Sequence, residues 1–387
     1  LSEPRAGFDP KAFRKSHNRL LGIGSEIVAP LLRLGSYLAA RRAPSAPAQW
    51  RSGLIVGHSH IGDVLYRTCS LPALTKAFPE CRWSYLTSPE GALVLDGNPE
   101  VADVLPWNVG DDSWQLTPDA FAELRRRDFD AILCTNTLRY HPDLFLAAAL
   151  GIPNRVAFTH KGLSGLATRS ITPEYPSPYP AYFRTMVAML AGVAPVWPLR
   201  PRILVSKDDR RQAASALEDT HVDANSPIVA CSITTKQARG SWPTASVLAL
   251  LREARRQSSF QIALCGAPDD EEALAAANAA LDGTAAVLAG KLDLRQFAAL
   301  LERCAALVTL DSGARHVGNA IGLPVFFFRN MLASQVETGT YCDTETDLAP
   351  AGQFLTDAEI YKVAREYPVD RAARTLAERI TVSAQRE

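Results

Sequence analysis

From residue 53 onward, short apolar runs alternate with stretches of helical spacing, the pattern of a parallel sheet covered on both faces. The runs at 54–56 and 131–134 are continuous rather than alternating, as strands buried on both sides require, and 83–86, 101–105 and 155–158 repeat the strand signal. Helices are expected between them at 63–77, 88–95 and 118–127, and the run at 155–158 closes this first series. A Pro-rich stretch from Thr172 to Pro180 follows, then a helix to about residue 190. A second cluster, Pro195, Pro198 and Pro201, marks the expected domain boundary. Beyond it the pattern restarts, with strands at 228–232, 261–265, 286–288, 306–310 and 325–328. Helices are expected at 244–255, 269–281, 294–303 and 314–320. Two successive α/β units of similar size predict two Rossmann-like domains facing a central cleft. Ligands should then sit at the carboxyl ends of the strands. The expected domains are 51–198 and 199–350, with 351–387 as a helical tail.

Residues 1–50 read differently. Arg5, Lys11, Arg14, Lys15, Arg19, Arg33, Arg41 and Arg42 face only Glu3, Asp9 and Glu26, around an apolar stretch at 20–34. One reading is an interfacial helix drawn to anionic lipid at the inner face of a membrane. The plainer one is an arm that packs on the body or stays unstructured, joined by the Ala/Pro-rich linker at 43–48.

Charge narrows the choice of partner. Lys+Arg 41 against Asp+Glu 41 gives a formal net charge of +0, without the cationic excess on which bulk nucleic-acid affinity rests. The seven cysteines include no Cys-x-x-Cys pair, and Cys134, Cys231 and Cys265 fall in expected buried strands. They read as small core residues of a reducing compartment rather than a disulfide framework or a zinc site. No apolar run is long enough to span a bilayer and no secretory signal is visible, so a soluble cytoplasmic protein is expected.

Three turns carry candidate chemistry. The first reads Gly57-His58-Ser59-His60-Ile61-Gly62-Asp63. Its glycines have P-loop spacing, but Asp63-Val64 stands where a P-loop needs Lys then Ser/Thr, and a carboxylate there would repel phosphates. A capping role for Asp63 is the plain alternative; a glycine hinge and two histidines on the same loop favour a functional site. The turn after 306–310 reads Asp311-Ser312-Gly313-Ala314-Arg315-His316. Small residues opening a helix leave N–H groups and a positive dipole end for a phosphate, with His316 one turn in as a further donor. The alternative is an Asp N-cap above a buried His. The turn after 228–232 carries Thr234, Thr235, Lys236 and Arg239 before Trp242-Pro243, hydroxyls and cations that suit a diphosphate or simply a solvated loop. Asp128-Phe129-Asp130 matches a metal-holding Asp-x-Asp, but it precedes the strand at 131–134 and so lies at the end away from the expected site.

Taken together these segments resemble glycosyltransferase family 9, the ADP-heptose:lipopolysaccharide heptosyltransferases. The likeness is carried by Leu54 through Thr68, Leu71 through Pro79, Ser88-Pro-Glu and Gly97 through Val104. It continues through Thr234-Thr235 with Trp242-Pro243, the stretch from Gly290 to Leu301, and Asp311 through Pro324, so that it spans roughly 53–330. The resemblance implies a GT-B fold and an inverting transfer needing neither metal nor cofactor. A nucleotide-sugar donor would sit in the second domain and a lipopolysaccharide-core or other glycan acceptor in the first. By position it makes Asp63 the catalytic base, with His58, His60 and Gly62 on the acceptor side. Thr234, Thr235 and a cation, either Lys236 or Arg239, become diphosphate contacts; Asp311, Ser312, Gly313 and His316 become donor contacts. This chain departs from the family in three places. Its donor loop is one residue longer, a ribose-binding Glu has no clean counterpart among Asp269, Asp270 and Glu271, and Arg315 and Asn319 replace apolar or small residues. Same-fold alternatives are a transferase or epimerase for another nucleotide sugar, or a non-catalytic sugar-nucleotide-binding assembly protein.

Overall fold

The computed structural model describes residues 43–57, 60–106, 117–136, 142–158, 166–174, 176–194, 199–220, 222–223, 226–236, 239–352, 354 and 356–384. The basic stretch at 1–42, His58 and the prolines at 195 and 198 therefore lie outside the described residues. The chain divides into two compact units, Leu1–Leu199 and Arg200–Glu387.

In the first unit, β1 (Ser52–Val56), β2 (Arg82–Thr87), β3 (Asp103–Pro106), β4 (Ala131–Cys134), β5 (Asn154–Phe158) and β6 (Arg169–Ile171) form one sheet in the order β3-β2-β1-β4-β5-β6. Its helices are α1 (Ile61–Thr68), α2 (Leu71–Ala77), α3 (Pro89–Leu95), α4 (Pro118–Arg126), α5 (Pro142–Ala149) and α6 (Tyr179–Ala191). In the second unit, β7 (Ile228–Ser232), β8 (Gln261–Gly266), β9 (Ala286–Ala289), β10 (Ala306–Leu310), β11 (Val325–Phe328) and β12 (Glu345–Asp347) are ordered β12-β11-β10-β7-β8-β9. Here the helices are α7 (Lys207–Glu218), α8 (Thr244–Gln257), α9 (Glu271–Ala280), α10 (Leu294–Leu301), α11 (Gly313–Ile321), α12 (Gln335–Thr338), α13 (Asp357–Arg365) and α14 (Val369–Ala384). All strand pairings in both sheets are parallel. The strand order reverses between β1 and β4 in one unit and between β7 and β10 in the other. Open α/β sheets bind ligands outside the carboxyl ends of the strands at such reversals.

The continuous apolar runs are buried on both faces, as their composition requires. Leu54, Ile55, Val56, Ile132 and Leu133 are inaccessible in the first unit, and Val229, Ile262, Leu307 and Val308 in the second. Leu376 and Ile380 of α14 join Val247 and Leu251 of α8 in the core of the second unit. Among the described residues, no helix is long and apolar enough to cross a membrane.

Several elements differ from the sequence expectation, each for a physical reason. The helix expected at 63–77 begins earlier, at Ile61, and breaks after Thr68. Pro72 lacks an amide hydrogen and its ring would meet the carbonyl four residues back, so the chain restarts as a second helix. The strands β6 and β12, and the helices α5 and α7, have no counterpart in the expectation. Both strands are edge strands of three residues without an apolar run (Arg-Ser-Ile and Glu-Thr-Asp). A strand with one side open needs no such run. The helix α7 is polar on most faces but starts with a capping box, in which Ser206 Oγ accepts the Asp209 amide (3.1 Å) and Asp209 accepts the Ser206 amide (2.6 Å).

Candidate active site

The loop after β1 lies at the strand-order reversal of the first unit, flanked by β2 and β4. Gly57 ends it on one side; a Cβ there would stand 2.3 Å from the ring of Tyr85, so only glycine fits against that buried phenol. His60 is exposed and takes the N-cap position of α1 in extended conformation, which puts Gly62 second and Asp63 third in the helix. Asp63 is thus not the capping residue. Its Oδ1 accepts a hydrogen bond from the Tyr66 hydroxyl at 2.5 Å. Behind it the buried Arg67 donates to the Asp63 main-chain carbonyl (2.6 Å) and to that of Thr135 (3.3 Å), with its Nη1 3.9 Å from Asp63 Oδ1. Burial pushes the Tyr66 phenol well above its ordinary value despite the opposing Arg67 charge, so it remains a proton donor. Asp130, from the Asp-x-Asp pair, accepts the amides of Arg51 and Ser52 at 2.8 and 3.0 Å. It ties down the amino end of β1, far along the strand from this loop.

In the second unit the loops after β7 and β10 are neighbours by register, because Ser232 pairs with Thr309. Thr234 and Asp311 each lie two residues beyond that pair. Ser312 is the N-cap of α11 and makes no side-chain cap hydrogen bond, so no serine oxygen occupies the first-turn amides there. Asp311 is consequently not the cap either. Its Oδ1 accepts from Arg315 Nη1 at 3.0 Å, while Oδ2 stands 3.5 Å from the Asn330 amide. The Asn330 side-chain amide donates to the Arg239 carbonyl at 2.9 Å. Gly240, next to it, has φ +81, a conformation that excludes most other residues, and its amide donates to Asp357 at 2.8 Å. Asn330 thus links the base of the Arg239 loop to Asp311. Lys236 and Arg239 are both exposed. His316 Nδ1 is 2.5 Å from the Tyr341 hydroxyl. Thr234 donates to Asp270 at 2.9 Å, and the same carboxylate oxygen accepts the Ala267 amide at 2.8 Å. Asp270 therefore braces the Thr234 loop from the end of β8.

Arg315 and Asn319, the two departures in α11, are accounted for by one acidic residue. Arg315 donates to Glu345 at 2.6 Å and to the carbonyls of Thr338 and Gly339 at 2.7 and 2.6 Å, and lies 3.6 Å over the Phe327 ring. Asn319 donates to the same Glu345 oxygen at 2.7 Å. Burial alone would raise the Glu345 carboxyl, yet Arg315 and these donors hold it below its ordinary value. Burial likewise disfavours charge on Arg315, and Glu345 and Asp311 reverse that effect and push it up.

The sequence reading did not single out Tyr66, Arg67, Tyr341 or Glu345, and named Asp270 only beside Asp269 and Glu271 as an unclear counterpart of a ribose-binding Glu. Helical spacing put Tyr66 and Arg67 within reach of Asp63, three and four residues on, which is a usable signal. Glu345 sits 30 residues from Arg315, and nothing local announces that pair. Of the expected residues, His60, Gly62 and Asp63 share the first-unit loop; Thr234, Thr235, Lys236, Arg239, Asp311, Ser312, Gly313 and His316 share the adjoining loops of the second.

The profile of glycosyltransferase family 9 (heptosyltransferase) matches residues 120–327, more than half of the chain. Lipopolysaccharide heptosyltransferase 2 of Salmonella typhimurium is 24% identical over 287 residues, covering 70% of this chain and 80% of that protein. A glycosyltransferase of the same family from Veillonella parvula superimposes with TM-score 0.71 at 17% identity, over 89% of this chain and 100% of that one. The ADP-heptose lps heptosyltransferase II of E. coli gives TM-score 0.64 at 18% identity, over 87% of this chain and 99% of that one. The two six-stranded parallel units thus have the GT-B fold of these structures. The profile match begins beyond Asp63.

Proposed function

Because the chain belongs to glycosyltransferase family 9 and is a glycosyltransferase, we propose that it moves a heptose from ADP-heptose to a sugar hydroxyl of a lipopolysaccharide-core acceptor, inverting the anomeric centre without a metal or cofactor. One observation carries this reading. At the strand-order reversal of the second unit, the uncapped start of α11 adjoins the Thr234–Thr235 turn, and Asn330 holds the Arg239 loop against Asp311. Amides, hydroxyls, a cation and the positive end of a helix are the groups that stabilise a departing diphosphate.

In this reading the acceptor hydroxyl gives its proton to Asp63 as its oxygen attacks the anomeric carbon. The bond from that carbon to the β-phosphate oxygen breaks, and the electron pair leaves with ADP. The first-turn amides of α11, Thr234, Thr235, Arg239 and His316 take up the charge that ADP gains. His60 and Gly62 border the acceptor. Isothermal titration with ADP and ADP-heptose, followed by product analysis with truncated core oligosaccharides, tests it. Binding of both with transfer of heptose is expected; preference for another nucleotide sugar, or binding without turnover, would displace this function in favour of a same-fold transferase or a binding protein.

A further inference from the structure

The sequence reading treats Asp63 as a base standing on its own loop. The structure surrounds it. Tyr66, 5% exposed, lies one helical turn below and donates to Oδ1 at 2.5 Å. Arg67, 1% exposed, holds the main chain of the same residue, and its guanidinium lies 5.0 Å from the centre of the Tyr66 ring. Two buried side chains engaged at one partly exposed residue, Tyr66 at its carboxylate and Arg67 at its main chain, are more than a helix start needs, since an acidic residue in a first turn is already favoured by the helix dipole. From this we infer that Tyr66 is the positioning residue of Asp63: its hydroxyl fixes the carboxylate rotamer through Oδ1 and keeps the group ionised and aimed to receive the acceptor proton, with Arg67 bracing the turn that carries both. The inference rests on the reading of Asp63 as the base.

The physical argument is electrostatic. A hydrogen bond donated to the ionised form favours that form, and a phenol that burial keeps protonated cannot donate away its role by ionising. Among the described residues, His60 sits at the N-cap of this helix, and further charged and titratable groups come from the elements packed against it. Tyr85 of β2 and Asp143 of α5 interact electrostatically with Arg67, and Tyr179 of α6 with Tyr66. Arg184 of α6 lies by Cys69 at the far end of the helix, while Glu90 of α3 and Lys76 of α2 are exposed. Tyr66 donates a side-chain hydrogen bond to the Asp63 carboxylate, while the Arg67 guanidinium stands 3.9 Å from the same oxygen.

The test follows the Asp63 carboxyl in the full chain by NMR of selectively labelled aspartate, the Asp63→Asn spectrum assigning the signal. Tyr66→Phe keeps the ring and removes only the donor; it should raise the titration midpoint by about one pH unit, a ten-fold shift in the protonation equilibrium. Incorporating a fluorinated tyrosine of lower phenol pKa at position 66 should move the midpoint the other way, and this arm stands even if Tyr66→Phe fails to fold. A residue that merely packs would lower the melting temperature and leave the midpoint in place, and coincident midpoints in all three proteins overturn the inference. Turnover of Asp63→Asn keeps the two claims apart. A fully active Asp63→Asn removes the base and the positioning role with it; an inactive one beside unmoved midpoints removes only the role of Tyr66.

Discussion

Replacing Arg315 by Leu should destabilise the second unit by roughly 3 kcal/mol at neutral pH, and the size follows from what surrounds the charge. Arg315 and the Glu345 side chain are 2% and 0% exposed, so neither can turn to water when the other is lost. Removing one partner of a buried pair typically costs about 3–5 kcal/mol, because the remaining charge is left uncompensated. Here the lower end applies. Glu345 keeps the Asn319 amide at 2.7 Å and the Tyr341 and Cys342 main-chain amides at 2.8 and 3.2 Å. For a unit of this size each kcal/mol is worth about 2–4 °C, so the melting temperature should fall by roughly 6–12 °C.

The pH dependence separates this account from simple loss of packing over Phe327. In the native protein the Glu345 carboxyl lies below its unfolded value of about 4.3. Its contribution is therefore complete above that pH and is lost as the pH falls through the lower folded value. Without Arg315 the main influence lowering the carboxyl is lost while burial remains, so the folded value moves up and the variant loses less as the medium turns acidic. Calorimetry of wild type and Arg315→Leu should show a gap widest near pH 7.5 and clearly narrower near pH 4. Adding Glu345→Gln should restore at least half of the loss. A gap equal at both pH values, or no recovery in the double variant, would refute the electrostatic reasoning.

The remaining expectations concern chemistry and location. Asp63→Asn should fold, bind ADP-heptose and lose on the order of 10²–10⁴ in turnover, the usual worth of a positioned base; near-wild-type turnover with an inactive His60→Ala would move the base to the histidine. Arg239→Ala should weaken ADP binding in titration calorimetry while excess EDTA leaves turnover intact, and activity restored by Mg²⁺ or Mn²⁺ after chelation would overturn a metal-independent transfer. Trp50 is buried against Phe78 and Trp83, so a cut at Arg51 would open the core, whereas a chain beginning at Ala43 should keep activity on soluble acceptors yet bind anionic vesicles less than the full chain; equal binding would leave residues 1–42 no role at a lipid surface.

What could be read in advance depended on where each interaction closes. Strands buried on both faces announce themselves by unbroken apolar runs, so β1, β4, β7, β8, β10 and β11 were legible. Edge strands such as β6 and β12 carry no such constraint, and only their neighbours reveal them. The same distinction holds in the site. The small residues opening α11 and the Thr-Thr turn after β7 are local signals, because presenting first-turn amides and hydroxyls needs only a turn at a strand end. Pairs formed across the fold leave no local trace. Arg315 reads from sequence only as a departure from the apolar or small residue the resemblance expects there, and it is the arrival of Glu345 from the edge strand β12 that makes it part of the core. Asp270 shows the converse: in sequence it is one of three adjacent acids without a clear role, and the fold gives it the Thr234 hydroxyl and the Ala267 amide. A carboxylate engaged in that way braces the Thr234 loop from beneath. Both of those bonds use Asp270 Oδ2, so in the proposed donor complex a ribose at the end of β8 meets the other oxygen of Asp270 or its exposed neighbours Asp269 and Glu271, and Asp270→Ala should loosen the Thr234 loop as well as weaken any hold on the sugar.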